Sequence, residues 1–355
     1  MRLFQNLKLS KFCKTLLIIL LVIILIVAIV AAYFWSKLDL INFSDEFAYE
    51  FADEPFEEYH LDMDDSQLSE TAPEILDSEI HTSQNVINIL LIGTDERSME
   101  FHYHARSDSM ILVSINTDIN TVKLVSFERA IGVPILEGEF AGQYDLLTHI
   151  FRWGGSELLV KTIEHCFKID IDHYVRLNFS SVKGIVDTIG GIDMYLTAAE
   201  ANAINSDEHD DYYLKKEYIM QEGMNHLNGA AALAFARLRN IDSDWQRVER
   251  QRKVILAVVD KLKGSSLVTL SDLADTVLPM IQTDMTKIDI AELMLYAPNF
   301  LSSTFDQMTI PKKGTYGGMK IRNPGGAFAV DYAINNDLLY RFLYEDATSE
   351  ELLAE

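Results

Sequence analysis

Apolar residues fall along this chain in three different patterns. The run 15–35 is 21 residues long, carries no charge and is nearly all Leu, Ile, Val and Ala. A bilayer core takes ~20 apolar residues in a helix, so the run predicts one transmembrane helix. It is longer than the ~7–15-residue apolar core of a cleaved signal, and Tyr33-Phe34-Trp35 suits the headgroup level, so an uncleaved anchor is expected. Residues 36–84 sustain no apolar period and predict a loosely ordered stalk. From residue 85 onward short apolar runs alternate with stretches of helical period.

Within that last region, 86–92, 110–115 and 121–127 are compact apolar runs bounded by turn residues, which predicts buried strands. Helical period follows over 156–167, strand character over 174–179, helix over 182–189 and strand over 192–196. Helices are expected over 228–237, 246–262, 267–281 and 288–296, then a strand over 305–310 and a helix over 331–344. Strands and helices in alternation predict an α/β fold, a layered α/β/α domain with a mixed central sheet over 85–345, preceded by the single transmembrane helix. The glycine-rich stretch 314–326 reads as a surface turn, and 346–355 as a frayed acidic tail.

Charge sharpens this division. Arg2, Lys8, Lys11 and Lys14 make 1–14 a basic tip, which predicts a cytoplasmic N-terminus and an extracellular C-terminal domain in a single-pass cell-membrane protein. Residues 38–84 hold fifteen Asp or Glu and no Lys or Arg, and the whole chain has a formal net charge of −24. That balance argues against nucleic acid as a partner. The two cysteines, Cys13 and Cys166, lie on opposite sides of the expected membrane, so no disulfide framework is expected. Oligomeric state is not legible.

Several chemistries are absent from the sequence. It has no G-x-G-x-x-G after a strand, no phosphate-loop G-x-x-x-x-G-K, no H-E-x-x-H, no C-x-x-C and no G-x-S-x-G. What stands out is arginine. Five of the thirteen, Arg237, Arg239, Arg247, Arg250 and Arg252, fall within sixteen residues. A guanidinium fork binds two oxygens at once and stays charged, so the cluster suits a dense anion such as a pyrophosphate. Salt bridging to Asp242, Asp244 and Glu249 on a solvated helix is the alternative. Charged residues also gather where apolar runs end: Asp95 and Arg97 after the first strand, Arg106 and Asp108 before the second, Glu128 and Arg129 after the third. Two carboxylates among arginines make sense around a magnesium ion shared with phosphate oxygens.

Those strings carry a family resemblance. Ile-Leu-Leu-Ile-Gly-Thr-Asp-Glu-Arg at 89–97, Arg-Ser-Asp-Ser-Met at 106–110, Ser-Phe-Glu-Arg at 126–129, Gly-Gly-Ile-Asp at 190–193 and the 227–251 arginine window resemble the LytR-CpsA-Psr family of cell-wall glycopolymer transferases. The resemblance implies an apolar tunnel for a polyprenyl chain and an undecaprenyl-pyrophosphate-linked glycopolymer as donor. It implies transfer of the polymer to peptidoglycan as a phosphodiester at the outer face of the membrane, with membrane lipid as a further partner. On matching positions, Asp95 and Asp108 would hold Mg2+. Arg129, Arg237, Arg239 and Arg247 would act on the pyrophosphate, with Arg97, Arg106, Arg250 and Gln251 binding it too. Two positions depart from the family pattern: Ala130 stands where an Asp is usual, and Leu146 where a Lys is frequent. They motivate the alternatives of a non-catalytic polyprenyl-phosphate-binding regulator or a lipid pyrophosphatase. Glu128 is a candidate stand-in for the missing acid, but a continuing strand would point it away from Arg129.

Overall fold

A computed structural model of the chain describes residues 32–33, 35–43, 67–96, 105–206, 219–238, 241–263, 272–273, 275–321 and 325–354. Among them, the strands of the central sheet are β1 (Asn42–Phe43), β3 (Val86–Thr94), β4 (Ser107–Asn116), β5 (Thr121–Phe127), β8 (His173–Leu177), β11 (Ile281–Thr283) and β12 (Thr304–Ile310). Their order is β1-β11-β8-β3-β4-β5-β12. β3 pairs antiparallel with β4 and parallel with β8, while β5 pairs antiparallel with β4 and parallel with β12, so the sheet is mixed.

Alternation along the central strands decides which helices cover which face. Leu90, Ile92, Met110, Leu112, Val125 and Phe127 point to one side. There they pack on α1 (Leu147–Phe167) and α7 (Tyr332–Tyr344). Ile111, Val113 and Leu124 point to the other side, against Ile255 and Leu256 of α5 (Asp244–Lys263) and Phe300 of α6 (Lys287–Ser302). Each such side chain, fully buried, stabilises the fold by about 1.5–3 kcal/mol. A second core lies beside the sheet, built from α2 (Phe179–Thr188), the antiparallel β9–β10 pair (Ile192–Leu196 and Gly223–Leu227), α3 (Ala198–Ser206) and α4 (Gly229–Arg237).

Gly229 sets the distance between α2 and α4. A Cβ there would sit 2.3 Å from the Lys183 carbonyl oxygen and 2.8 Å from an Asp187 carboxylate oxygen. The Gly229 amide also donates to Asp187 at 2.6 Å. Gly229→Ala is expected to wedge the two helices apart and to destabilise by about 1–3 kcal/mol, read from urea unfolding.

Several elements differ from their sequence expectation. α1 starts at Leu147 rather than near 156, because the helix continues on both sides of a break at Gly154 and Gly155, where Gly155 has φ +64°. In the glycine-rich stretch β13 (Tyr316–Met319) pairs antiparallel with β14 (Ala327–Val330) and in parallel with β2 (Leu68–Ser69), while 322–324 lie outside the described residues. The tail is not frayed: α8 (Ser349–Ala354) is anchored by Leu352, which is fully buried and whose carbonyl accepts from Lys312 Nζ at 2.8 Å. A short β6–β7 pair (Gly132–Pro134 with Tyr144–Leu146) precedes α1.

Part of the expected stalk is also folded. Leu38 and Ile41 are buried, β1 pairs in parallel with β11, and Lys37 and Asp39 form ion pairs with Asp275 and Lys287. Apolar side chains at 38 and 41 and the edge offered by β11 outweigh the acidic character of the segment. No helix among the described residues is long and apolar enough to cross a membrane. The run 15–35 lies outside them except for Ala32, Tyr33 and Trp35.

Candidate functional site

The C-terminal end of β3 and the start of β4 do not pair regularly. Gly93 faces Ser109 and Thr94 faces Ser107, so Asp108 is an extra residue in the ladder. Such a bulge re-aims a side chain at a strand end. Asp108 thereby joins Ser109 and Ile111 in lining a cavity of about 140 Å³.

The cavity runs between the sheet and the helices. Its apolar walls are Leu91 and Ile111 on the sheet, Phe179 and Val182 on α2, Leu233 and Ala236 on α4, and Val254 and Ile255 on α5. Arg237, Arg247, Gln251, Asp108 and Asn178 also line it. Arg237 sits in the last turn of α4 with its guanidinium 4.4 Å over the Phe179 ring, a cation–π contact that fixes it beside the cavity. Arg247 and Gln251 are one turn apart on α5, so both face inward.

A chain of charged contacts leads out of the cavity. Arg129 Nη1 lies 3.5 Å from Asp108 Oδ1, and its Nε donates to Asp244 Oδ2 at 2.9 Å. Asp244 Oδ1 is 3.7 Å from Arg247 Nη1. Asp244 therefore links Arg129 to Arg247. Asp95 accepts from the Arg106 backbone amide at 2.9 Å. Burial holds the Asp95 carboxyl above its ordinary range; the Arg106 amide opposes this, and the charge of Asp108 reinforces it. A buried carboxyl whose proton affinity is raised by a neighbouring carboxylate forms with it a donor set suited to a divalent cation. Among the described residues no group of three or more His, Cys, Asp or Glu is arranged for a metal, so such an ion would draw its remaining ligands from phosphate and water.

Not every arginine of the window reaches the cavity. Arg250 binds both oxygens of Asp242, at 2.6 and 2.7 Å, and the Leu238 carbonyl at 2.7 Å. It closes the connection between α4 and α5 instead of facing the cavity. Arg252 donates to Ser126 Oγ and Thr309 Oγ1 at 2.6 and 2.8 Å, fastening α5 to β5 and β12. Arg97 and Arg239 lie outside the described residues.

Three residues of the site escaped sequence reading. Asp244 is a linker between two site arginines rather than a solvated ion pair. Phe179 supplies the face for Arg237. Asn178 caps α2 by accepting from Ser181 N at 2.9 Å, and so turns the start of α2 toward the cavity. An Asn ahead of a helical period was the available signal for the last, but the expected strand 174–179 ran over it, whereas β8 ends at Leu177.

The model of the LytR_cpsA_psr family matches residues 54–327. The chain belongs to the LytR_cpsA_psr family. Its relatives include the Bacillus cereus polyisoprenyl-teichoic acid–peptidoglycan teichoic acid transferase TagU, 31% identical over 231 residues, 64% of this chain and 69% of TagU. The Bacillus subtilis transferase TagT is 31% identical over 234 residues, 65% of this chain and 70% of TagT. Among solved structures, TagT bound to LIIa-WTA superposes with a TM-score of 0.59 at 26% identity, over 78% of this chain and 96% of that one. The protein gbs0355 from Streptococcus agalactiae shares the fold, with a TM-score of 0.63 at 22% identity over 75% of this chain and 90% of that one. The mixed sheet with helices on both faces is thus the LytR_cpsA_psr architecture.

Proposed function

We propose that this protein transfers a glycopolymer to peptidoglycan in cell-wall assembly, taking it from a polyprenyl-diphosphate carrier. One observation carries the reading: a single cavity joins apolar walls for a lipid chain to Arg237, Arg247 and Asp108. A tail in the apolar part leaves the diphosphate among the arginines. The names of the related transferases TagU and TagT agree with it.

In this reading the acceptor hydroxyl oxygen forms a bond to the polymer-linked phosphorus, and the bond from that phosphorus to the bridging oxygen breaks. Lipid phosphate leaves, and the hydroxyl proton passes to solvent. Arg237 and Arg247 grip phosphate oxygens, and Arg129, held by Asp244, adds a third guanidinium. Fixed positive charge at the spreading phosphate charge is the main contribution a protein makes to phosphoryl transfer. Asp95 and Asp108 would hold Mg2+, which neutralises phosphate charge when bound. The run 15–35 and its basic flank support a single-pass anchor that keeps the domain outside and near its lipid-borne donor.

The test uses full-length protein in detergent with an undecaprenyl-diphosphate-linked glycopolymer and peptidoglycan. Polymer should become covalently attached to peptidoglycan, and EDTA should reduce the rate about tenfold or more, with recovery on adding Mg2+. Release of free polymer with no attachment would instead favour a pyrophosphatase. Binding with neither product would favour a regulator.

A further inference from the structure

Glu128 is the most completely buried acid beside the candidate site. It is 0% exposed, and its carboxylate oxygens have no well-formed hydrogen-bond partner, the Arg129 backbone amide being only a weak contact. β5 ends at Phe127, so the expected opposition of Glu128 and Arg129 on a continuing strand does not arise. The Glu128 amide donates to the Ile310 carbonyl at 2.8 Å, and the Glu128 carbonyl accepts from Ile131 N at 3.3 Å, so the chain turns here.

The turn leaves Glu128 among the charges of the site. Asp244 and Arg247 act on it from α5, Arg129 from its own loop, Arg252 from further along α5 and Tyr316 from β13. It does not line the cavity. Arg247 does line it, so Glu128 acts on a bound anion by way of its charge interaction with Arg247 and Arg129.

We propose that Glu128 is a positioning carboxyl that sets, from behind the cavity, the net charge which Arg129 and Arg247 present to a diphosphate. The inference rests on the lipid-diphosphate reading above and adds to it a residue and a regulation. Arg129 and Arg247 carry two positive charges, and Asp244 and Asp108 pair with them. An ionised Glu128 adds one more negative charge beside the cluster, whereas a protonated Glu128 adds none. Burial, and then the charge of Asp244, push the Glu128 carboxyl up to about 7, against the lowering effect of Arg247 and Arg129. Both states are thus populated near neutral pH. An arriving diphosphate brings negative charge into a site of low dielectric and favours the protonated state. By reciprocity, protonation of Glu128 strengthens diphosphate binding.

The experiment measures the affinity of the full chain in detergent for farnesyl diphosphate without added metal, at pH 6, 7 and 8. Wild type is compared with Glu128→Gln and Glu128→Asp. Ionisation of the probe itself is common to all three proteins and cancels in their ratios. Gln mimics the protonated acid, so this variant is expected to fold and to bind as wild type does at pH 6. By pH 8 it should exceed wild type by about tenfold, the value of one pKa unit. Glu128→Asp, still an acid, should keep a pH-dependent ratio to Glu128→Gln. A wild-type to Gln ratio that is the same at pH 6 and pH 8 marks Glu128 as merely structural and overturns the proposal. If wild type binds no farnesyl diphosphate at any pH, the lipid-diphosphate reading fails and this inference falls with it.

Discussion

Arg247→Ala should lower glycopolymer transfer by about 10²–10³-fold, the usual cost of removing one fixed donor to developing charge. The side chain is 1% exposed, springs from the sheet-facing helix α5 and lines the cavity beside Asp108 and Gln251. Asp244 stands 3.7 Å from its Nη1, and that carboxylate already holds Arg129. Truncation therefore removes one guanidinium and loosens a second. Arg247→Lys should restore little, because an ammonium cannot reproduce the planar fork that meets two phosphate oxygens. Single-turnover transfer at saturating donor separates lost chemistry from lost binding, and circular dichroism separates both from unfolding. Transfer by a folded Arg247→Ala protein within about threefold of wild type would remove Arg247 from the reaction.

The largest expected effect on stability lies one strand away. Arg176 Nη2 donates to Glu96 Oε1 at 2.6 Å, and both side chains are buried. Arg176 Nη1 donates to Gln282 at 2.9 Å, and Thr94 Oγ1 to Glu96 Oε2 at 2.5 Å, so the pair ties β3, β8 and β11 together. The guanidinium also lies 4.7 Å over the Phe151 ring of α1. Glu96→Ala should cost about 3–5 kcal/mol, since it leaves a buried cation without its carboxylate. The double change Glu96→Leu with Arg176→Met should cost much less, because no uncompensated charge remains. Urea unfolding of the single and double variants decides the matter. A single variant within about 1 kcal/mol of wild type would mean that water reaches Arg176.

In the central sheet β3, β4 and β5 were legible because they are apolar on both faces, whereas β1 and β11, only two and three residues long, were not expected. The expected runs 86–92 and 121–127 fall within β3 and β5, and outside that sheet 192–196 coincides with β9. The β13–β14 pair was hidden by its composition. Gly317 and Gly318 give strand backbone without strand side chains, so period and propensity are both silent there. The tail helix was hidden by its charges, since a single buried Leu352 decides its docking.

In the site, residue type was easier to read than direction. Asp95, Asp108, Arg129, Arg237 and Arg247 stood out by sequence. That Asp108 turns into the cavity depends on a bulge, which appears only once β3 and β4 are paired. Arg250 differs from Arg247 by less than one helical turn, yet Asp242 and the Leu238 carbonyl capture it. Side-chain capture by a preceding loop has no sequence period. Glu128 needed the end of β5 to be known, because a single further strand residue would have turned it elsewhere.

β1 changes what the acidic segment is mechanically. A strand at 42–43 docked on β11 fixes the chain to the domain only a few residues past Trp35. Residues 44–66 then lie between two points of attachment, β1 and β2, both in the folded domain. The stretch between Trp35 and β1 is itself docked, with Leu38 and Ile41 buried and Lys37 paired with Asp275. Residues inserted between Trp35 and Lys37 would therefore lengthen the path from the apolar run to the domain, while residues inserted between β1 and β2 would lengthen only the connection between those two strands.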